Sequence, residues 1–320
     1  INYYKGKFNA YQRTYILYDF NKIKVKYLLH YLGAYLKGYI LINSKKGSVP
    51  YITLPILQNF KVPVPPIEVQ NEIVRILDNF TELEAELEAE LEARKKQYEY
   101  YKNALLNFGR AENLEAVHTH THGYFYGQKI KYVKLINIAI RNRGTSITAA
   151  MMKKINKEDA PIKIFAGGNT VAFVGWKDIP EEDIIKVPSI VVKSRGYIGF
   201  EYCEQPFSNK NELWSYTITD KEVNPKYVYY YLLTQINKLQ DIAKAQSVKL
   251  PQIYHRNTDD IKIPIPNIKI QERIISILDR FNKLCSDITQ GLPAEIEARR
   301  KQYEYYRDKL LNFKELKVEK

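Results

Sequence analysis

Cysteine is almost absent from this 320-residue chain: Cys203 and Cys285 stand alone, with no CxxC pair. That excludes a disulfide framework and a zinc-ribbon site, and it points to a reducing, cytoplasmic setting. Methionine and tryptophan are equally scarce, at two each. No apolar run approaches the length of a membrane span, and no secretory leader is legible. The phosphate-binding, dinucleotide-binding, zinc-protease and nucleophile-elbow signatures are all missing. Ala166-Gly167-Gly168-Asn169 reads as a turn. Asn224-Pro225-Lys226-Tyr227 reads as a helix start, with an Asn cap and Pro in the first turn, and lacks the second proline of an amino-methyltransferase motif. His118, His120 and His122 read as linker, since no Cys or acidic cluster accompanies them. These absences describe a binder that carries no cofactor and no metal of its own.

Positive charge and tyrosine are abundant. The formal net charge is +13 and there are 27 tyrosines. An excess of this size favours a polyanionic partner, nucleic acid above all. The segment Thr81–Glu92 holds six Glu and no base, so the rest of the chain is more basic still. Tyrosine, a flat apolar ring with a polar tip, suits wet interfaces.

The chain also repeats itself. Lys61-Val62-Pro63-Val64-Pro65, Gln70, Ile76-Leu77-Asp78 and Phe80 return 201 positions later as Lys262-Ile263-Pro264-Ile265-Pro266, Gln271, Ile277-Leu278-Asp279 and Phe281. Arg94–Tyr101 returns as Arg299–Tyr306 at an offset of 205, so the second copy carries four extra residues in between. Weaker echoes (Lys26-Tyr27 with Lys226-Tyr227, Ser48 with Ser247) extend the match upstream. A period this long is a duplicated domain-sized unit rather than a solenoid repeat.

Each copy has the same plan. Residues 27–36 suit a short buried helix. The prolines of 62–66 fix φ and restrain the residues before them, which makes a stiff extended lead-in. A helix follows from Ile67, with Val69, Ile73, Ile76, Leu77 and Phe80 on one face. Thr81 with Glu84 has capping-box spacing and predicts a second helix over 81–108, closed by Gly109. Its apolar stripe is Leu83, Leu87, Leu91, Tyr98, Tyr101, Leu105 and Phe108. Residues 110–123 read as linker. Residues 124–260 form a mixed α/β domain, with strands predicted over 131–140, 162–165, 171–175, 190–193, 197–202 and 214–218 and a helix over 225–245. The lead-in and helices then return over 261–313, with Pro293 marking a new helix start. Two like helices on one chain predict an antiparallel, pseudo-two-fold pairing, with Tyr303, Tyr306 and Leu310 on the second stripe. The acidic face should look to solvent or to a basic protein partner.

These motifs (Gln70, Ile73, Leu77-Asp78 and 83–108, with Gln271, Ile274, Leu278-Asp279 and 295–313) resemble the specificity subunit of type I restriction-modification enzymes, over essentially the whole chain. The fold so implied is α/β (α+β) target recognition domains joined to long antiparallel paired helices. The domains would be 1–60, the C-terminal part of a first recognition domain; 61–109, a first helical spacer; 110–260, a second recognition domain; and 261–320, a second spacer. On alignment with the second copy the first lacks roughly 80 residues at its front, which fits a fragment, a truncated gene or a silent recombination cassette alike. The resemblance further implies a non-catalytic subunit that reads a bipartite site in double-stranded DNA. Its helices would dock two methyltransferase subunits, which bind S-adenosylmethionine, with restriction and translocase subunits completing the complex. The alternative class is a helical-hairpin scaffold that assembles proteins without touching DNA. An autonomous methyltransferase or nuclease is disfavoured by the missing motifs.

Candidate DNA contacts are cationic, amide and hydroxyl residues on loops: Arg141, Arg143, Thr145 and Ser146; Lys193 and Arg195; Asn209 and Lys210; Ser247 and Lys249; and, in the first copy, Lys45, Lys46 and Ser48. Arg forks suit guanine, amides suit adenine, and Lys mostly meets phosphate.

Overall fold

The structure is a computed structural model that describes residues 1–12, 14–43, 52–108, 130–247, 249–287 and 289–314. The chain divides into two compact units. Residues 1–95 and 283–320 form the first, and residues 96–282 form the second. Each unit therefore combines one copy of the duplication with the closing helical segment of the other.

In the first unit α1 (Val25–Asn43) and α2 (Leu54–Gln58) precede α3 (Ile67–Leu106), which contributes residues to both units. Leu28, Leu32 and Leu36, spaced four apart on α1, are buried with Phe20, Ile23 and Phe60 packed against them. Tyr27 is fully buried with Ile73, Leu77 and Leu311. Its hydroxyl donates to the Pro63 carbonyl at 3.0 Å, so a phenol satisfies a carbonyl of the proline lead-in.

The second unit holds the sheets. β1 (Lys131–Lys134) pairs antiparallel with β9 (Lys262–Ile265), so the second proline lead-in is a sheet strand whose register sets Tyr132 opposite Pro264. Among the described residues two strands make this sheet, which leaves each a side without a described strand partner, where proline is tolerated. β2 (Ala139–Asn142), β8 (Trp214–Ile218), β5 (Ser189–Lys193) and β6 (Gly199–Cys203) form a four-stranded antiparallel sheet in that order. β4 (Val171–Val174), β3 (Ile162–Phe165) and β7 (Phe207–Asn209) form a three-stranded one, in which β3 and β7 run parallel. Helices α4 (Ala149–Ile155), α5 (Pro225–Leu233), α6 (Ile236–Gln246), α7 (His255–Asp259) and α8 (Ile268–Ser286) complete the unit, and α8 runs on into the first. α9 (Leu292–Leu310) belongs to the first unit and has Pro293 in its first turn, as expected.

Three expectations need correction. The helix expected to begin at Thr81 is the middle of α3. The Thr81 hydroxyl donates back to the Asp78 carbonyl at 2.8 Å, which satisfies it inside the helix, and no Gly or Pro interrupts there. The single strand expected over 131–140 is two strands in different sheets. A one-turn 3₁₀ segment, Leu135–Asn137, separates them and buries Leu135 completely. The helix expected over 225–245 breaks at Thr234-Gln235, where the Thr234 hydroxyl caps the Tyr231 carbonyl at 2.7 Å. The Asn224 cap itself is present and accepts from the Lys226 N–H at 2.9 Å. Gly109 and the His118–His122 tract lie outside the described residues.

The repeated residues do the same work in both copies. Gln70 is fully buried; its Nε2 donates to the carbonyls of Lys22 (3.0 Å) and Pro65 (2.8 Å), and its Oε1 accepts from the Lys24 N–H (2.7 Å). Gln271 does likewise with Glu222 (2.9 Å), Pro266 (2.8 Å) and the Asn224 N–H (2.8 Å). Tyr227 donates to the Pro264 carbonyl at 2.8 Å, as Tyr27 does to Pro63. Asp78 takes Lys26 and His30, and Asp279 takes Lys226 and Tyr230.

The long helices pair across the copies. In the first unit Phe80 stacks on Tyr306 (centroids 5.2 Å), and Arg300 bonds Glu84 at 2.8 Å with Glu88 at 3.5 Å. Rising numbers on α3 meet falling numbers on α9, so the two run antiparallel. In the second unit the reciprocal pair, Phe281 with Tyr101, stacks at 5.5 Å, and Tyr98 lies 6.5 Å from Phe281. Such ring pairs contribute about 0.5–1.5 kcal/mol each beyond the area they bury. Leu105 is buried with Ile274 and Leu278, Leu310 packs beside Leu311, and Tyr303 reaches His30 at 3.3 Å. Leu87 and Leu91 are half-buried and Leu83 is exposed. The basic partner of the acidic face is thus partly Arg300 of the same chain. That half-exposed pair is worth at most about 1 kcal/mol and sets register more than stability. The four extra residues of the second copy fall between Phe281 and Arg299, where α8 and α9 are separate helices while the first copy is one unbroken helix.

Candidate nucleic-acid interface

β2 runs out into Arg143-Gly144-Thr145-Ser146, and the backbone there is laid against Asn209-Lys210. The Thr145 N–H donates to the Asn209 carbonyl at 2.7 Å, and Thr145 pairs with Lys210 in a parallel bridge. Gly144 permits the approach: a Cβ there would sit 2.6 Å from the Lys210 carbonyl oxygen and closer still to that of Asn209. The next link is Glu212, whose carbonyl accepts from the Ser194 hydroxyl at 2.9 Å while its carboxylate pairs with Lys210 at 2.9 Å. Beyond Ser194, Arg195 bridges Gln252, and the Gly196 N–H donates to the Pro251 carbonyl at 2.8 Å. Gly196 has φ +74°, which favours glycine. Loops far apart in sequence are thereby laced into one ridge, from Arg143 through Asn209–Glu212 and Arg195 to Lys249.

The candidates fall into distinct groups on this ridge. Arg143, Ser146, Arg195 and Lys249 are exposed. Arg143, Arg195 and Lys249 form no ion pair among the described residues. Thr145 and Asn209 are buried, and the Asn209 amide donates to the Leu213 carbonyl at 2.9 Å, so both tie the loops together. Lys193 pairs with Glu201 at 2.9 Å, and Lys163 reaches the same carboxylate at 2.7 Å. Burial pushes the Glu201 carboxyl up, but these two ammonium groups hold it below the usual carboxylate range. Arg141 is held by Asp259, which also accepts from the Tyr216 hydroxyl. Tyr216 and Trp214 both bond the Thr258 hydroxyl, at 2.7 and 3.2 Å, and the His255 ring lies 4.4 Å from Trp214. Burial, and then the Arg141 charge, lower the His255 pKa, so this imidazole favours its neutral form. Ser247 is half-buried, and Lys45, Lys46 and Ser48 lie outside the described residues.

Tyr197 (72% exposed) and Leu250 (51% exposed) flank Arg195 and Lys249 and were not among the expected contacts. The tyrosine excess is the sequence signal for Tyr197, and Leu250 has none; the contact between the Gly196 turn and Leu250 joins positions too distant for any local pattern.

Gly144→Ala is expected to destabilise the second unit by about 1–3 kcal/mol, because the added methyl group meets backbone oxygens that cannot rotate away. Urea denaturation followed through tryptophan fluorescence checks this. Unchanged stability would mean that the loop is not seated on Asn209–Lys210.

An α/β unit with cationic loops on one ridge, joined to helices that pair across an internal duplication, defines a modular recognition protein. The chain belongs to the type I restriction modification DNA specificity domain family, whose model matches residues 1–93 and 129–298. It is 32% identical over 312 residues to the Escherichia coli type I restriction enzyme EcoR124I/EcoR124II specificity subunit, covering 92% of this chain and 72% of that one. Its fold matches the crystal structure of the Mycoplasma genitalium type I restriction-modification S subunit (TM-score 0.62, 17% identity, 92% of this chain and 74% of that one). A chain from a structural study of type I restriction-modification complex assembly matches with a TM-score of 0.53 at 16% identity, over 89% and 70% of the two chains. The protein is a type I DNA specificity subunit, a component that is itself non-catalytic. Among the described residues no helix is long and apolar enough to cross a membrane.

Proposed function

We propose that this chain reads a bipartite target in double-stranded DNA within a cytoplasmic restriction-modification complex, each recognition domain taking one half-site. The exposed ridge of Arg143, Ser146, Arg195 and Lys249 contacts bases and phosphates of one half-site. Lys45, Lys46 and Ser48 serve the other, and Thr145 and Asn209 position the loops. Lys193, Lys210 and Arg141 lie close to this path and reach the duplex once phosphate replaces their carboxylate partners, and Ser247 contributes a hydroxyl. The paired helices set the number of unread base pairs and, with the domains, dock two methyltransferase subunits, which supply the chemistry; restriction and translocase subunits join in the full enzyme. The domain plan is that of two recognition domains (1–60 and 110–260), each followed by a helical spacer (61–109 and 261–320).

The observation that carries this reading is the lacing of sequence-distant loops by backbone bonds, which gathers onto one ridge cations that form no ion pair among the described residues. Surface lysines and arginines scattered for solubility alone would not need it. The competing reading, a scaffold that binds only proteins, differs in its response to salt. Duplex affinity of the chain with its methyltransferase partner should fall steeply between 50 and 200 mM salt, by roughly 10³-fold if about six phosphates are neutralised. A flat response would favour the scaffold.

A further inference from the structure

The second unit contains an open cavity of about 600 Å³ between β1, β9, α6 and α7. Leu239 and Ile261 give it an apolar lining, and Tyr132 and Tyr231 add two phenol rings. Lys238, Arg256 and Lys262 bring positive charge. Asp260 is the acidic residue of the lining, and it is already engaged by Lys134 at 2.6 Å and Arg256 at 3.4 Å. Lys238 and Lys262 form no ion pair among the described residues, so the cavity keeps net positive charge.

The duplication provides an internal control. Tyr31, Tyr35, Tyr39 and Phe60 hold the positions of Tyr231, Gln235, Leu239 and Ile261, and Gly38 that of Lys238. In the first unit those rings close on one another: Tyr31–Tyr35 at 4.9 Å, Tyr39–Phe60 at 5.0 Å and Tyr31–Phe60 at 6.0 Å. The first copy thus packs aromatic rings on one another at positions that line the cavity in the second. In the second copy Gln235, Leu239 and Ile261 stand in place of three of those rings, and Lys238 replaces a glycine.

We propose that this cavity binds a nucleoside phosphate unit. Its size suits a ligand of that class, and its lining sets Leu239, Ile242 and Ile261 beside phenol, amide and cationic groups. Tyrosine rings offer stacking faces for a base, an interaction that tolerates any base. Two amides flank them with capacity to spare. Gln235 donates through Nε2 to Thr234 (2.8 Å), which leaves Oε1 as an acceptor; Asn257 accepts through Oδ1 from Tyr254 (2.8 Å), which leaves Nδ2 as a donor. Lys238 and Lys262 take the phosphate. The ligand is either a free nucleotide or an unpaired residue of a nucleic-acid strand. The inference stands apart from duplex reading by the Arg143–Lys249 ridge.

Calorimetric titration of the full chain with AMP, with a short single-stranded oligodeoxyadenylate and with inorganic phosphate tests it. Wild-type protein should bind AMP or the oligonucleotide, or both, more tightly than phosphate, and the better of the two identifies the source. Lys238→Ala/Lys262→Ala should weaken that binding about tenfold or more, since even one lost charge-assisted contact is worth a decade. Gln235→Tyr/Leu239→Tyr, which restores the first copy's rings, should abolish it. Should that filled variant fail to fold, the lysine pair decides. The proposal is overturned by no binding of either nucleotide probe at about 10 mM, the weak-affinity limit at which K is near 10² M⁻¹. It is also overturned by phosphate binding as well as AMP does, or by unchanged affinity in the lysine variant.

Discussion

Gln271→Leu should lower the stability of the second unit by about 3–5 kcal/mol. The side chain is fully buried and serves two carbonyls and one N–H, those of Glu222, Pro266 and Asn224. Leucine fills nearly the same space and leaves all three without partners. Each stranded buried group costs about 1–3 kcal/mol, moderated where water can enter. In a unit of this size the melting temperature should fall by about 10 °C. Gln70→Leu should act the same way on the first unit through Lys22, Pro65 and Lys24. The effect matters for function because the amide ties the proline lead-in, the recognition-side helix and the long helix to one another. Thermal unfolding of both variants checks the expectation. Loss of less than about 1 kcal/mol, the net worth of one ordinary hydrogen bond, would show that the repeated glutamine is not the clasp described here.

The second large effect concerns the ridge. Arg143→Ala and Arg195→Ala should each weaken specific duplex binding by about 1–3 kcal/mol if the guanidinium forks a guanine. A phosphate contact would instead weaken all sequences alike and lower the salt slope by about one. Together the substitutions should reduce specific affinity by roughly 10²-fold or more. Lys193→Ala should do less, because this ammonium is already committed to Glu201. Affinities of the methyltransferase-bound protein for specific and scrambled duplexes, across salt, separate these cases. Equal affinities for the double variant and the wild type would remove the ridge from the interface.

Much of this was legible because the duplication wrote it twice. Gln70 and Gln271, and Asp78 and Asp279, recur 201 positions apart, Tyr27 and Tyr227 recur 200 apart, and each pair bonds corresponding positions. Strands Ile162–Phe165 and Trp214–Ile218 follow the predicted bounds, because short apolar runs flanked by turn residues leave little choice. Continuity through Thr81 was hidden because capping-box spacing also occurs inside a helix, where a Thr hydroxyl finds its own turn. The 3₁₀ turn at Leu135 was hidden because a buried Leu there fits a strand equally well. The site was legible only as residue types. Which cations are free is decided by partners far away in sequence, as Asp259 takes Arg141 and leaves Arg143 exposed. Seating of the loop by Gly144 likewise depends on Asn209, on another strand.

Base-resolved protection of a randomised duplex library by the complete subunit bound to its methyltransferase partner tests the central claim most directly. The account predicts protection of two defined half-sites separated by a gap of fixed length and free sequence. Protection indifferent to base sequence, or confined to one uninterrupted site, would contradict it.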